Sequence, residues 1–274
     1  AYEMIASLVG SEMCIRDIAI NYLYFYKMNF LKFSLLFGLF SSLNFAEYWK
    51  IDPSPVAQDE IQEALILAEP GDTVFLSKGI YQLDHGLSLD VDNVSIIGEG
   101  MYETVLDFSN QETGAQGLLV TSDNVLMKDF AIENAKGDAI KSKGVKNTSF
   151  IKVRTEWTNG PDSKNGAYGL YPVESIGVLI DGCVAIGASD AGVYVGQSEQ
   201  IIVRNTRAEF NVAGIEIENS YHADVYNNVA TNNTGGILIF DLPNLPKQGG
   251  KFVRVFQNKS FNNTTENFAP EGNI

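Results

Sequence analysis

Between residues 117 and 239 the chain repeats a short segment in which Gly or Ala is followed by alternating apolar positions. The copies are Gly117–Val120, Ala139–Ser142, Gly169–Pro172, Gly192–Val195, Gly214–Ile217 and Gly236–Ile239. Most recur about every 22 residues, and the one longer interval contains Thr158–Gly166, whose Gly, Pro and Asn residues predict an inserted loop. A regular repeat of roughly 20–50 residues is typical of a solenoid.

A second set of apolar segments recurs with similar spacing, so each repeat contains more than one strand. Its members are Val125–Met127, Val178–Ile180, Ile201–Val203, Val225–Tyr226 and Val253–Val255. Asn or Asp follows each of them, and Asn also precedes Gly-led segments at Asn134, Asn211 and Asn233. Because Asn tolerates left-handed backbone, these positions predict sharp corners between strands, where repeated amides can form a ladder.

Short strands, polar corners and the absence of a sustained 3.6-residue period predict an all-β fold, the right-handed single-stranded parallel β-helix. Each coil leaves its strand edges unpaired, and the next coil, about 4.8 Å away, pairs them and buries an apolar column. The predicted inward residues are Ile140, Leu170, Val193, Ile215 and Ile237. Cys183 has similar apolar surroundings, so we assign it to packing.

One amphipathic helix is expected, and it would cap the solenoid. In Gln58–Ala68 the residues Ile61, Ala64, Leu65 and Ala68 share one face, and Pro70-Gly71 ends the pattern. The first strand is then expected at Thr73–Leu76. A helix laid over the first coil would cover its open edge and exposed core.

The segment Ile61–Leu83, IQEALILAEPGDTVFLSKGIYQL, resembles the first segment of pectin-lyase-fold proteins, in which a capping helix precedes PGDT and a G-x-Y turn. The later coils resemble the repeats of pectate lyases, mannuronan epimerases, polygalacturonases and a group of uncharacterised tandem β-helix repeat proteins. The resemblance covers about residues 56–274. It implies the β-helix fold and a polysaccharide as partner, whereas activity must be argued from the site.

Catalytic motifs of these families are not matched. Val178–Cys183 is similar to the pectate lyase pattern W-I-D-H-C, but Leu179 replaces Trp and Gly182 replaces His. The pectate lyase R-x-P-x-x-R motif, the epimerase Asp-Pro-His motif and the polygalacturonase N-T-D, G-H-G and R-I-K motifs are absent. No catalytic residue is therefore carried over from them.

The N-terminal part contains two segments that we exclude from the fold. Leu8–Asp17 resembles the translation of a sequencing-library adapter, so residues 1–27 are expected to be an artefactual extension. Residues 28–46 are expected to be a signal peptide, with Lys32 before the apolar run Phe33–Leu43; an uncleaved anchor is the alternative. The β-helix domain is then 47–274, expected to be secreted or periplasmic. Its final residues resemble the start of another coil, so we expect the domain to be truncated.

Composition narrows the classes of partner. The 274 residues are 45% hydrophobic and carry a formal net charge of −15, which argues against a duplex-binding protein. No apolar stretch is long enough to predict a membrane span in the mature chain. Two cysteines cannot form a disulfide framework. His85 and His222 fit turn positions and suggest no zinc or copper site.

Stacked coils bring outward side chains into vertical columns, and two of these columns, together with the adjoining strand ends, form the candidate site. The first column is Leu119, Lys141, Tyr171, Tyr194, Glu216 and Leu238. The second is Thr121, Lys143, Val173, Gly196, Glu218 and Phe240, and at the strand ends lie Gly144, Glu174, Gln197, Asn219 and Asp241. We select Lys141, Tyr171, Tyr194, Glu216 and Glu218 as catalytic candidates and Lys143, Gln197, Asn219, Phe240 and Asp241 as substrate-binding candidates.

The sequence leaves three uses of this strip open. In a lyase or epimerase, Lys141 or Tyr194 would be the base and Tyr171 the acid, while Glu216 and Glu218 would hold Ca²⁺ against a uronate. In an inverting glycoside hydrolase, Glu216 and Glu218 would be acid and base. In a binding module or a non-catalytic scaffold for adhesion or assembly, the strip would grip a chain or be an ordinary solvated sheet face.

Two further features are undecided at this stage. The Pro- and Gly-rich segment Phe240–Lys251 leaves the candidate strip, where it would either wall a groove or form an idle insertion. The net negative charge disfavours anionic glycans at long range. A cluster of basic residues in the middle coils nevertheless keeps such glycans open; these are Lys141, Lys143, Lys146, Lys152 and Arg154.

Overall fold

Three parallel sheets run along the molecule, and the chain passes from one to the next as it winds. The computed structural model describes residues 46–270 and residue 272, so the expected extension and all of the expected signal peptide except Ala46 lie outside the described residues. The nine strands of sheet A are β1 (Tyr48–Ile51), β2 (Thr73–Leu76), β5 (Ser95–Gly98), β8 (Leu126–Lys128), β11 (Lys146–Ile151), β14 (Ile176–Asp181), β17 (Glu199–Arg204), β20 (Tyr221–Tyr226) and β23 (Lys251–Phe256).

The other two sheets complete each coil. Sheet B contains β3 (Gly79–Gln82), β6 (Thr104–Asp107), β9 (Ala131–Glu133), β12 (Arg154–Glu156), β15 (Val184–Ile186), β18 (Arg207–Glu209), β21 (Val229–Thr231) and β24 (Lys259–Phe261). Sheet C contains β4 (His85–Leu89), β7 (Thr113–Val120), β10 (Asp138–Lys143), β13 (Tyr168–Val173), β16 (Ala191–Gly196), β19 (Ala213–Glu218) and β22 (Gly235–Phe240). Consecutive strands of each sheet pair in parallel, which confirms the β-helix prediction.

The predicted apolar column forms the interior. Ile140, Leu170, Val193 and Ile215 are completely buried, and Ile237 packs against the same core with part of its surface exposed. Cys183 is buried and free, and it lies inside this apolar core, as the assignment to packing requires. Burial of a continuous column is the main stabilising contribution in such a stack.

Helix α1 (Ala57–Leu67) lies where the capping helix is predicted. It contacts β1, β2, β3 and β4, and it buries Ala57, Ile61, Ala64 and Leu65. The first strand differs from the expectation: β1 precedes the helix and pairs with β2, so Thr73–Leu76 is the second strand of sheet A. Among the described residues, no helix has both the length and the apolar character needed to cross a membrane.

Asparagine side chains form a buried ladder at the corner between sheets B and C. Asn211 and Asn233 are completely buried, and the Asn211 backbone N and Nδ2 both donate to Asn233 Oδ1 at 3.0 Å. Asn233 repeats this pattern with Asn263 Oδ1, at 3.1 and 3.0 Å. Each amide thus satisfies backbone groups of a neighbouring coil that turn away from the strand ladders.

Replacing Asn233 with alanine is expected to destabilise the fold by about 2–4 kcal/mol, because it leaves buried donors on Asn211 and the Ala208 carbonyl unpaired. Urea denaturation followed by circular dichroism measures this loss. The matched control is Asn110→Ala at an exposed position, where a change within about 0.5 kcal/mol is expected. Equal destabilisation by both variants would contradict a structural role of the ladder.

Candidate functional site

Three tyrosines form a cluster on the outer face of sheet C. The ring centroids of Tyr168 and Tyr171 are 4.5 Å apart, those of Tyr168 and Tyr194 are 4.7 Å apart, and those of Tyr171 and Tyr194 are 5.0 Å apart. These rings pack with Ala191, Ala213 and Leu238 in a second apolar cluster, separate from the core. The predicted register is confirmed, since Lys141 pairs with Tyr171 and Tyr194 pairs with Glu216 in adjacent strands.

Two glutamates on β19 lie beside this tyrosine cluster. Glu216 and Glu218 occupy alternate positions of the strand, and each is only 5% exposed. The Tyr194 hydroxyl donates a hydrogen bond to Glu218 Oε2. This reach depends on Gly196, which pairs with Glu218: a Cβ on Gly196 would lie 2.4 Å from the Tyr194 ring. The glycine therefore lets the tyrosine lie over the strand and point to the carboxylate.

The glutamates and two of the tyrosines open onto a cavity of about 600 Å³, called the sheet C cavity below. Its lining consists of Tyr168, Asp190, Tyr194, Glu216, Glu218, Leu238, Ile239, Phe240 and Leu242. Apolar and aromatic walls with a few converging polar groups are typical of ligand sites. The cavity thus combines a stacking surface with three carboxyl groups.

Glu216 has the environment of a carboxylic acid that keeps its proton. Burial raises the pKa of Glu216 to about 8, and the charges of Asp190 and Glu218 add to this effect. No group in the described part of the chain donates a hydrogen bond to its carboxyl, so nothing offsets the loss of hydration. Glu218 differs, because its Oε2 accepts a hydrogen bond from the Tyr194 hydroxyl. Adjacent carboxyl groups therefore have different environments.

The remaining titratable groups at the cavity are shifted by burial as well. Burial raises the pKa of Asp190, while its hydrogen bond with Tyr168 acts in the opposite direction. Burial also raises the pKa of Tyr171 to about 12, and the pKa values of Tyr168 and Tyr194 lie well above the usual range for the same reason. The tyrosine hydroxyls consequently act as hydrogen-bond donors at neutral pH rather than as bases.

The segment after β22 walls the cavity. Leu242 is part of the lining, and its backbone N donates to Asn219 Oδ1 at 2.8 Å. Asn219 Nδ2 donates to the carbonyls of Leu242 and Lys247, both at 3.0 Å. Lys247 is also held by Glu199, at 2.7 Å. Of the two alternatives for Phe240–Lys251, the structure supports the wall.

Removing the Asn219 side chain is expected to loosen this wall and speed hydrogen exchange at the Leu242 amide by about tenfold, because three hydrogen bonds to the loop are lost. Asn219→Gly is the suitable variant, since Asn219 has a φ of 45°, which glycine accepts. Hydrogen exchange at the Leu242 amide measures this effect.

The matched control for this prediction is Asn227→Gly. Asn227 has a similar φ of 56°, and it lies exposed in a corner that does not line the sheet C cavity. Asn227→Gly should leave the Leu242 exchange rate unchanged. If Asn219→Gly exchanged no faster at Leu242 than Asn227→Gly does, the anchoring role of Asn219 would be refuted.

The other candidates of the strip occupy varied positions. Lys141 Nζ lies 3.7 Å from Asp138 Oδ2 and 4.3 Å from the centre of the Tyr171 ring. Lys143 is exposed, and Phe240 lines the sheet C cavity. Asp241 is exposed and borders a smaller neighbouring cavity of about 240 Å³. The sequence-based roles of Gln197 and Asn219 change, because their side chains contact the loop: Gln197 Oε1 accepts from Lys247 N at 3.5 Å.

Sequence analysis missed three residues of this site. Tyr168 belongs to the tyrosine cluster, Asp190 lines the sheet C cavity, and Asp138 binds Lys141. Tyr168 and Asp138 belong to strands β13 and β10 at the same register position, just before the segments used to define the columns. The available signal was the aromatic or acidic residue immediately before the small residue of a repeat.

The calcium hypothesis does not fit the site. Within residues 46–270, no group of three or more His, Cys, Asp or Glu side chains could hold a metal ion. Glu218 is engaged by Tyr194, and Glu216 lies in surroundings that favour its protonated form, which is a poor ligand for a hard cation. We therefore assign no step to Ca²⁺.

The comparison with known families identifies the fold family. The family described as "Right handed beta helix region" matches residues 92–252, more than half of the chain. The chain belongs to the right-handed β-helix family. This agrees with the resemblance to pectate lyases and related proteins noted in the sequence. A search of curated proteins gives no match to this β-helix chain.

Solved structures with the same fold include two lyases and a phage protein. Alginate lyase from Paenibacillus sp. str. FPU-7 has a TM-score of 0.52 and 18% identity, over 69% of this chain and 67% of the lyase. A rhamnogalacturonan lyase has a TM-score of 0.51 and 14% identity, over 79% and 63% of the two chains. The N-terminal fragment of bacteriophage Phi29 gene product 12 has a TM-score of 0.56 and 16% identity. That match covers 68% of this β-helix chain but only 36% of the phage fragment.

Proposed function

We propose that this β-helix binds a polysaccharide in the sheet C cavity and hydrolyses it, with Glu216 as general acid and Glu218 as general base. The observation that carries the proposal is the Glu216 carboxyl, which is 5% exposed, lines the cavity and receives no hydrogen bond from the described residues. An unpaired buried carboxyl is costly for the fold, so a contact with substrate is a reason for keeping it. Apolar and aromatic walls beside it suit the faces of sugar rings.

The arrangement supports a single-displacement mechanism. Glu216 would donate its proton to the glycosidic oxygen as the bond to the anomeric carbon breaks. Glu218 would take a proton from the water that attacks this carbon from the opposite face. Alternate residues of a strand are about 6.6 Å apart along the backbone, which is compatible with the roughly 6.5–9.5 Å separation of carboxyl groups in inverting enzymes. Tyr194 would fix the orientation of Glu218 through the hydrogen bond to Oε2.

The lyase roles suggested by the sequence receive less support. Tyr194 donates its proton in a hydrogen bond to Glu218, and burial strongly favours its neutral form, so it is a poor base. The Lys141 ammonium is directed to Asp138 and to the ring of Tyr171. An elimination mechanism needs an unprotonated base beside the acidic carbon of a uronate. The groups that line the cavity therefore fit hydrolysis by the Glu216 and Glu218 carboxyls better than they fit elimination.

The structural neighbours support the carbohydrate class. Two of them are named as lyases of alginate and rhamnogalacturonan, and both share the β-helix scaffold with this chain. Because one scaffold hosts many reactions, the neighbours support a polysaccharide substrate and leave the reaction to the residues of the site. A secreted or periplasmic location would suit a polysaccharide-degrading protein, and it is part of this proposal.

A hydrolysis assay on a panel of soluble polysaccharides tests the proposal. We expect new reducing ends without the ultraviolet absorbance of unsaturated products, and NMR of the first product should show inverted anomeric configuration. Unsaturated products would show that cleavage occurs by elimination, and the proposed hydrolysis would then be wrong. Binding without any product would contradict the catalytic half of the proposal and leave a glycan-binding β-helix. Failure to bind any glycan in the panel would overturn the proposal as a whole.

A further inference from the structure

We infer that the sheet C cavity accepts an uncharged glycan and rejects polyuronates, an inference that rests on the proposed function of this cavity. Three of its lining residues are acidic, namely Asp190, Glu216 and Glu218. In the described part of the chain, none of the lining residues is Lys, Arg or His. Because Glu216 keeps its proton, a uronate carboxylate entering this space would face the carboxyl groups of Asp190 and Glu218 without a cationic partner.

The burial of these groups strengthens the effect. Glu218 is 5% exposed, so little water lies around it to screen the carboxylate of a bound uronate. Electrostatic interactions are stronger in such surroundings than at a solvated surface. Uncharged sugar hydroxyls are different, because they can donate hydrogen bonds to the same oxygens. The cavity lining therefore distinguishes glycans by their charge more than by the arrangement of their hydroxyl groups.

Lys141 and Lys247 are engaged by residues outside the cavity lining. Lys141 Nζ lies 3.7 Å from Asp138 Oδ2 and over the ring of Tyr171. Lys247, in the wall loop, lies 2.7 Å from Glu199 and over the ring of Tyr221. Each ammonium already has a carboxylate partner and an aromatic face, so neither is available to neutralise a uronate.

The charge of the whole protein acts in the same direction. A net charge of −15 repels a polyanion at long range, and the cavity repels it at contact. Lysines in the middle coils, which kept anionic glycans open in the sequence analysis, do not change this, because Lys143 and Lys146 are exposed outside the cavity lining. The net charge of the protein and the acidic lining of the cavity therefore both favour an uncharged glycan.

A matched pair of polymers tests this inference without knowledge of the natural substrate. Polygalacturonate and alginate are each compared with their carboxyl-reduced forms, which keep the linkage and lose the charge, alongside neutral glucans, xylans and mannans. Titrations use the full chain with Glu216→Gln, so that the polymers stay intact. We expect at least about tenfold tighter binding of the uncharged member of any pair that binds.

Charge variants separate the cavity from the rest of the surface. Asp190→Asn should increase affinity for the native polyuronates by at least about threefold, because it removes a negative charge from the cavity lining. The control is Glu63→Gln on the exposed face of α1, which changes net charge equally and should have little effect. An equal gain in both variants would assign the repulsion to net charge and overturn the role of the cavity.

The outcomes also separate this inference from the proposed function. If native polyuronates bind as tightly as their reduced forms and Glu216 is still needed for cleavage, the charge inference is wrong while the hydrolase proposal stands. If uncharged glycans bind and polyuronates do not, the charge inference and the binding half of the proposed function are supported. If no polymer binds, the proposed function fails, and the inference that rests on it fails too.

Discussion

Replacing Glu216 with glutamine is expected to lower the rate of glycan hydrolysis by about 100- to 10,000-fold, the usual contribution of a positioned general acid. Glutamine has nearly the same shape, but it cannot give a proton to the departing glycosidic oxygen. Because the substituted side chain still lines the cavity, glycan affinity should change by less than about threefold. Release of reducing ends gives kcat, and calorimetric titration gives the affinity.

The choice of leaving group sharpens this test. An aryl glycoside with a good leaving group needs little protonation, so Glu216→Gln should cleave it much faster than a natural glycan. Glu218→Gln should lose activity on both substrates, since attack by water still needs a base. Glu63→Gln, far along the sequence on the exposed face of α1, serves as the control and should retain full activity. Unchanged hydrolysis in Glu216→Gln would remove Glu216 from the mechanism.

The repeat architecture could be predicted from the sequence because every coil must place the same kinds of side chain inside. Val193 and Ile215 are paired in adjacent strands and completely buried, as the spacing of the Gly-led segments predicts. The same spacing brought Tyr194 beside Glu216. In a stack of parallel strands, one correct interval determines the neighbours of a whole column. This is why the central candidates of the site were found.

Strict alternation failed at the start of the sheet C strands. Counting back from the inward Leu170 turns Gly169 outward and Tyr168 inward. In the structure, a Cβ on Gly169 would lie 2.5 Å from the Oγ1 of the buried Thr155, so Gly169 also faces the interior. Two consecutive residues thus face inward, and Tyr168 returns to the outer cluster. Because Gly169 has no side chain, the pattern of apolar and polar residues does not indicate that this position faces the interior.

Contacts made by connecting segments were not predictable from periodicity. Asn219 has the position expected for an outward residue at a strand end, yet its amide is saturated by Leu242 and Lys247 of the following loop. The pairing of β1 with β2 across the intervening helix likewise has no local signal, because the strand is four residues long. The Asn219 contacts and the β1–β2 pairing both depend on where a non-repeating segment folds back. The spacing of the repeats carries no information about that position.

The pKa of Glu216 also predicts how stability varies with pH. Burial raises the pKa of the carboxyl to about 8 in the folded protein, against 4.5 for an exposed glutamate. Between these values the folded state binds more protons than the unfolded state, so the free energy of unfolding falls as pH rises through this window. The stabilising contribution is therefore complete below pH 4.5 and lost above pH 8. At about 1.36 kcal/mol per pKa unit, the loss amounts to about 5 kcal/mol at most.

Glu216→Gln should abolish this component, because glutamine does not ionise. We expect the variant and the original protein to have similar stability near pH 4.5, and the variant to be more stable by several kcal/mol near pH 9. Urea denaturation at both pH values measures the difference in free energy of unfolding between the two proteins. The contributions of Asp190 and the tyrosines cancel in this difference, because both proteins contain these residues. For the control Glu63→Gln, the stability difference from the original protein should not increase between the two pH values. A stability difference for Glu216→Gln that stays constant between the two pH values would mean that Glu216 is already ionised at neutral pH. It would then be unable to serve as the acid that the proposed hydrolysis requires.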